Sequence, residues 1–331
     1  MNARPRPARL RAAVVLGSLA ITTAVTCTEA TLEPTVPDPI RTVLYSLSNG
    51  PGLFAVRSDG TGDARVRVPP AIDGMVLLGM SRDGGRLALL ADDGIYVYSP
   101  ADTLSLSRAL DLPSGSILPV AFSDDEQFLA LITFANRPLL IVADLQDGVV
   151  DTLAAIVAEP VLPVAFSPDG RRIAVIGANS FTLEIVTIDR ETGISSSIHP
   201  VGGSRFVDLP IFGWPRWSAQ GLQLSVRRRP FTGNTGPDTL IGVTLDIDNV
   251  EKGYRRRFRA VSDLRFDVAS TFAYSSDGDA IIYGALSADG TTHGLFFQSV
   301  NTEVVQLVRD DPVAGEVFPQ MVNGTLPVPL R

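Results

Sequence analysis

Five carboxylates recur at short, similar distances ahead of a repeated large side chain. Asp73, Glu159 and Asp267 each lie seven residues before Met80, Phe166 and Tyr274 respectively. Asp208 lies nine before Trp217, and Glu316 five before Met321. Acids that return at one point of a repeat converge when the repeats close around an axis. A ring of them would hold a hard divalent cation such as calcium through oxygen ligands, or steer a basic partner by its field. The other reading is five solvated acids, each capping its own connection between repeats. No other cofactor is expected.

Arginine supplies a second pattern. Arg227-Arg228-Arg229 and Arg255-Arg256-Arg257, with Arg259, flank one apolar segment. They are a candidate anion patch, or an exposed face paired with nearby acids. Catalytic signatures are weak. His199 and His293 are the two histidines, and neither has metal-ligand spacing. Gly79-Met80-Ser81-Arg82-Asp83 misses the G-x-S-x-G nucleophile elbow, because position 83 is aspartate. Lys252 is the only lysine among 28 basic residues, which argues against lysine chemistry. No residue is assigned a catalytic role.

What must position these residues is a repeat. Leu-Pro-Val-Ala-Phe-Ser occurs at 118–123 and again at 162–167. Aligning on its serine finds Ser81, Ser123, Ser167, Ser218 and Ser275, at spacings of 42, 44, 51 and 57. Met321-Val322-Asn323-Gly324 is a degraded sixth copy. Each clear copy reads as strand, tight turn, strand, followed by a third strand and a more polar fourth. Four short antiparallel strands in roughly 45 residues make a propeller blade.

The expected fold is all-β: a six-bladed β-propeller of four-stranded antiparallel blades. Val43–Leu47, Leu53–Val56 and Val66–Val68 read as second, third and fourth strands without a first. Glu316–Val322 reads as a first strand without the others. N- and C-terminal strands are therefore expected to share one blade and close the ring. Met80, Phe122, Phe166, Trp217 and Tyr274 are expected to wedge between blades. Ala121, Ala165 and Ala273 mark a small position near the axis, and Asp83, Asp169 and Asp277 are expected to bond inside their turns. Two connections exceed the period. One, 199–214, carries Phe206, Ile211, Phe212 and Trp214, a candidate apolar contact patch or a cover for the core; the other is the 230–238 loop.

Phe-Ser-Pro-Asp-Gly-Arg-Arg-Ile-Ala at 166–174 resembles the repeat of TolB-type, WD40-like bacterial propellers. The resemblance runs over about residues 73–324. It implies periplasmic or cell-surface placement and protein binding more than catalysis. The expected function is an exported, non-catalytic binding or scaffold propeller of the cell envelope, whose partner is an envelope protein or a small ligand. Some propeller lactonases and glycosidases use carboxylates at the channel mouth. The alternative is therefore a carboxylate- or metal-dependent hydrolase or lactonase working there.

The N-terminus reads as an export signal. Arg4, Arg6, Arg9 and Arg11 precede the apolar run Ala12–Val25, and Cys27, the only cysteine, follows. Cys27 is a candidate lipidation site; ordinary cleavage near Ala30 and an uncleaved anchor are the other readings. The expected organisation is a signal peptide over 1–27, a proline-bearing tether over 28–40 and the propeller over 41–331. The protein is expected to be periplasmic, or an outer-membrane or cell-surface lipoprotein, monomeric, and in contact with membrane only through its N-terminal lipid or signal anchor. Without the four leader arginines the 28 basic residues fall to 24, against 36 acidic ones. That balance argues against nucleic acid as a partner, since phosphate binding needs a basic surface.

Overall fold

The second strand of each repeat shows why these residues form blades. Leu129, Ala130, Leu131 and Ile132 are all fully buried. Alternate side chains leave opposite faces of a strand. Ala130 and Ile132 accordingly pack with Val164 and Phe166 of the following blade, while Leu129 and Leu131 pack with Leu78 and Ala88 of the preceding one. A sheet covered on both faces reads as a continuous apolar run. Each large side chain so buried contributes roughly 1.5–3 kcal/mol.

The computed structural model describes residues 40–47, 50–66, 68, 70, 74–91, 93–100, 106–111, 116–117, 120–134, 138–155, 159–179, 182–198, 206–210, 212–218, 221–230, 239–247, 254–259, 271–286, 293–300, 305–311 and 317–323. They form six blades around a central channel, an all-β propeller. Blade 1 comprises Val76–Met80, Leu87–Ala91, Gly94–Tyr98 and Leu106–Asp111. Blade 2 has a divided innermost strand, Ser116–Ile117 and Ala121–Phe122, then Phe128–Phe134, Pro138–Asp144 and Val150–Ala155. Blade 3 runs Glu159–Phe166, Arg172–Asn179, Thr182–Asp189 and Ser195–Ile198. Blade 4 holds Phe206–Pro210 and Arg216–Ser218 against Gly221–Pro230, with Thr239–Leu245 and Tyr254–Arg259 outside them. Blade 5 is Thr271–Tyr274, Ala280–Leu286, His293–Ser299 and Val305–Asp311.

The closing blade joins the two ends of the chain. Val317–Asn323 is its innermost strand, followed by Arg41–Leu47, Gly50–Arg57 and Ala64–Arg65. Seven antiparallel pairs, from Arg41 with Asn323 to Leu47 with Val317, join the C-terminal strand to the N-terminal one. The fourth strand falls at Ala64–Arg65 rather than Val66–Val68. The turn after Arg57, closed by the Arg57 N–H on Thr61 O at 3.0 Å, brings the chain back sooner. Buried Arg41 ties this blade to blade 5 through Asp277 at 3.0 Å, with its guanidinium 5.9 Å from the Phe297 ring centroid.

Blade 4 departs from the simple pattern. Pro215 has no N–H, so the innermost ladder breaks before it. Phe212–Trp214 leaves blade 4 and pairs parallel with Thr271–Tyr274 of blade 5. This turns the Trp214 indole inward, where Nε1–H donates to Leu78 O of blade 1 at 2.8 Å. Blades 1 and 4 stand opposite in a ring of six, so Trp214 crosses the axis. It is 9% exposed and packs with Val43, Tyr45 and Ala273. Trp214 is therefore core and not a surface contact; the side chains of Phe206, Ile211 and Phe212 lie outside the described residues.

Candidate functional site

The turn after each innermost strand is built from its own side chains. In blade 3, Ser167 Oγ donates to Asp169 Oδ1 at 2.5 Å and accepts the Arg172 N–H, while Asp169 accepts the Arg171 N–H. The same bonds recur at Ser81 with Asp83, Ser123 with Asp125, and Ser275 with Asp277. These residues make the turn. The residue between serine and aspartate is left to vary.

That variable residue is Arg82, Asp124, Pro168 or Ser276, and Arg82, Asp124 and Ser276 face one channel mouth. These three rim an inner cavity of about 110 Å³ and an outer vestibule of about 470 Å³. Trp214, Trp217, Phe122 and Phe166 wall the inner cavity, and Arg216 reaches into it. Met80 and Phe122 are only half buried, whereas Phe166, Trp217 and Tyr274, which also line this space, are buried wedges. Asp83, Glu126 and Asp277 complete the vestibule. Arg82 pairs with Asp124 at 2.8 Å, and Arg86 with Glu126 at 3.3 Å.

Glu126 occupies the place that glycine takes in the turns ending at Gly84, Gly170 and Gly278. Its φ is +59°, the left-handed region, as are the three glycines' angles. A non-glycine residue there costs about 1–2 kcal/mol. Burial raises the Glu126 carboxyl above its usual range, and neighbouring Asp83 adds to the rise. The adjacent Glu126 carboxyl, with the Gly85 N–H, holds the Asp83 carboxyl below the usual range. Burial would also raise Asp277, but Ser275, the Asp279 N–H and Arg41 hold it well below. Because the Glu126 carboxyl is raised in the fold, stability falls as pH climbs from the ordinary glutamate value through the folded one. Glu126→Gln should melt with wild type near pH 4 and above it near pH 7. A gap that is constant with pH contradicts this assignment.

The carboxylates expected from the sequence belong to strand starts. Glu159 begins the strand that Phe166 ends, so it stands at the opposite end of the channel from the vestibule. Asp208 lies on Phe206–Pro210, in register with Arg228. The side chains of both, and Asp73, Asp267 and Glu316 altogether, lie outside the described residues, as does Cys27. Arg227–Arg229 end one strand and Arg255–Arg257 begin another, with Thr239–Leu245 between them. They are staggered: Arg227 pairs with Leu240, Arg255 with Thr244. Their side chains are not described.

Sequence reasoning missed the turn-side mouth. The signal lay in departures from the repeat: Glu126 where the other four copies have Gly84, Gly170, Gly221 and Gly278, and Arg216 where the others have Gly79, Ala121, Ala165 and Ala273.

The sequence matches no protein-family model and no curated protein. Solved structures do match. TolB from Acinetobacter baumannii superposes with a TM-score of 0.61 at 16% identity, covering 85% of this chain and 66% of that one. This chain thus spans just under two thirds of that protein's length. The fold is that of TolB-like propellers. A protein from Agrobacterium tumefaciens assigned as TolB matches with a TM-score of 0.54 at 14% identity, over 87% of this chain and 99% of its own. Oligogalacturonate lyase from Vibrio parahaemolyticus matches at 0.50 and 10% identity, over 82% and 78%. Identities this low establish the shared fold, and one fold hosts many functions.

Proposed function

We propose that this chain is an exported, non-catalytic binding propeller of the bacterial cell envelope. It works as a monomer, held to membrane only through lipidated Cys27 or its signal segment, and its partner seats on the turn-side mouth. One observation carries this reading. Serine and aspartate in the turns are fixed by their hydrogen bonds, while the residue between them is Pro168 in one turn and in the other three changes charge from Arg82 to Asp124 to Ser276 around one vestibule. A constant frame with a variable rim is how a rigid scaffold carries recognition.

The likeness to TolB propellers supports the envelope setting, and the strand-start carboxylates, with or without calcium, would add a negative field at the other mouth. A carboxylate-dependent hydrolase is the second reading. It is favoured by the Asp83–Glu126 pair, whose ionisation is pushed in opposite directions. A photo-crosslinking residue at position 276, in the cells that make the protein, tests the binding reading. The expected result is one discrete partner adduct at 276 and none at position 194, an exposed outer turn. No adduct at 276, or equal adducts at both, overturns it.

A further inference from the structure

Arg216 is the anomaly of the channel. Its aligned positions in the other four clear repeats carry glycine or alanine. The side chain lines the inner cavity and lies near Arg82 and Asp124. Burial, and then the charge of Arg82, lowers its pKa to about 10. Among the described residues its one hydrogen bond runs from Nη1 to Ser275 O at 2.8 Å, and no carboxylate lies within ion-pair distance. Nε is buried without an acceptor. Among the described residues the guanidinium, whose fork can grip a carboxylate through two parallel bonds, has no carboxylate partner.

We infer that the inner cavity binds a small monocarboxylate with a short apolar chain, its carboxylate on the Arg216 guanidinium. This rests on the reading that the turn-side mouth is the binding face. The cavity's chemistry selects the class. Trp214, Trp217, Phe122 and Phe166 supply apolar wall, and about 110 Å³ admits only a few heavy atoms; an apolar cavity of roughly 150 Å³ holds benzene. Among the described residues that line the cavity, Arg82 is paired with Asp124, whereas Arg216 has no carboxylate partner. Asp83, Asp124, Glu126 and Asp277 line the way in and repel multiply charged anions. A singly charged carboxylate therefore fits better than phosphate.

The chain reports on this site by itself. Its two tryptophans, Trp214 and Trp217, both line the cavity. Tryptophan emission of the full chain is titrated with butyrate, butyramide and inorganic phosphate. Butyrate should give a saturable change, butyramide and phosphate none at the same concentrations. Arg216→Ala restores the residue of the other repeats and should fold; it should bind butyrate roughly tenfold more weakly or worse. Arg216→Lys keeps the charge without the fork and should fall between. The inference is overturned if butyrate leaves emission unchanged, if Arg216→Ala binds it as wild type does, or if phosphate or butyramide binds as tightly. The outcomes separate from those at position 276. An adduct there without butyrate binding removes only this inference, and butyrate binding without an adduct removes only the partner.

Discussion

Removing residues 317–331 should unfold the whole propeller, not one blade. The lost segment is the innermost strand of the closing blade, which pairs with Arg41–Leu47 over its full length. Its loss uncovers Val43 and Tyr45 from the core that Met321 shares. It also opens the edge of a strand against which nothing else pairs. Burying three or four large side chains is worth about 5–10 kcal/mol, comparable to the entire stability of a domain. The truncated chain should therefore lose its cooperative melt by circular dichroism and be cut rapidly by protease at 25 °C. A truncated chain that melts like the parent would mean that the ends do not close the ring.

Gly221→Ala should be the most damaging single substitution among the described glycines. Gly221 sits at φ +120°, outside the range of other residues, at the turn that starts the second strand of blade 4. A Cβ there would lie 1.9 Å from Leu245 O. That oxygen belongs to the neighbouring strand, so relief requires the Leu222–Leu245 register to shift and the buried pair Leu222 and Leu245 to move with it. The expected loss is about 4 kcal/mol or more. Gly148→Ala is the control. Nothing lies within 4 Å of a Cβ there, and only the left-handed φ is penalised, at about 1–2 kcal/mol. Equal melting points for the two variants would contradict the packing at Gly221.

The fold was legible because the physics that makes a blade repeats. Serine and aspartate recur since every turn needs the same hydrogen bonds, and apolar runs recur since every blade is covered on both faces. The closing blade could be read from its missing strands alone. The connections 199–214 and 230–238 exceed the period, but their length does not give the form of blade 4. A proline that breaks a ladder does not say where the freed segment goes, and Trp214 finds Leu78 only because six blades bring opposite strands across one axis. The candidate site was less legible for a related reason. Aligning copies draws attention to what they share, and here the shared residues build the frame. Arg216 and Glu126 stand out only once the frame assigns alanine and glycine to their places.

The proposed binding function requires the partner to seat on the turn-side mouth of the channel. A photo-reactive side chain at position 276 reads this directly, with Arg82→Glu introduced into the same chain to reverse the charge across the vestibule. The expected result is a discrete adduct from 276 that Arg82→Glu removes while the melting point stays put. An adduct from 276 indifferent to the charge at 82 would contradict it.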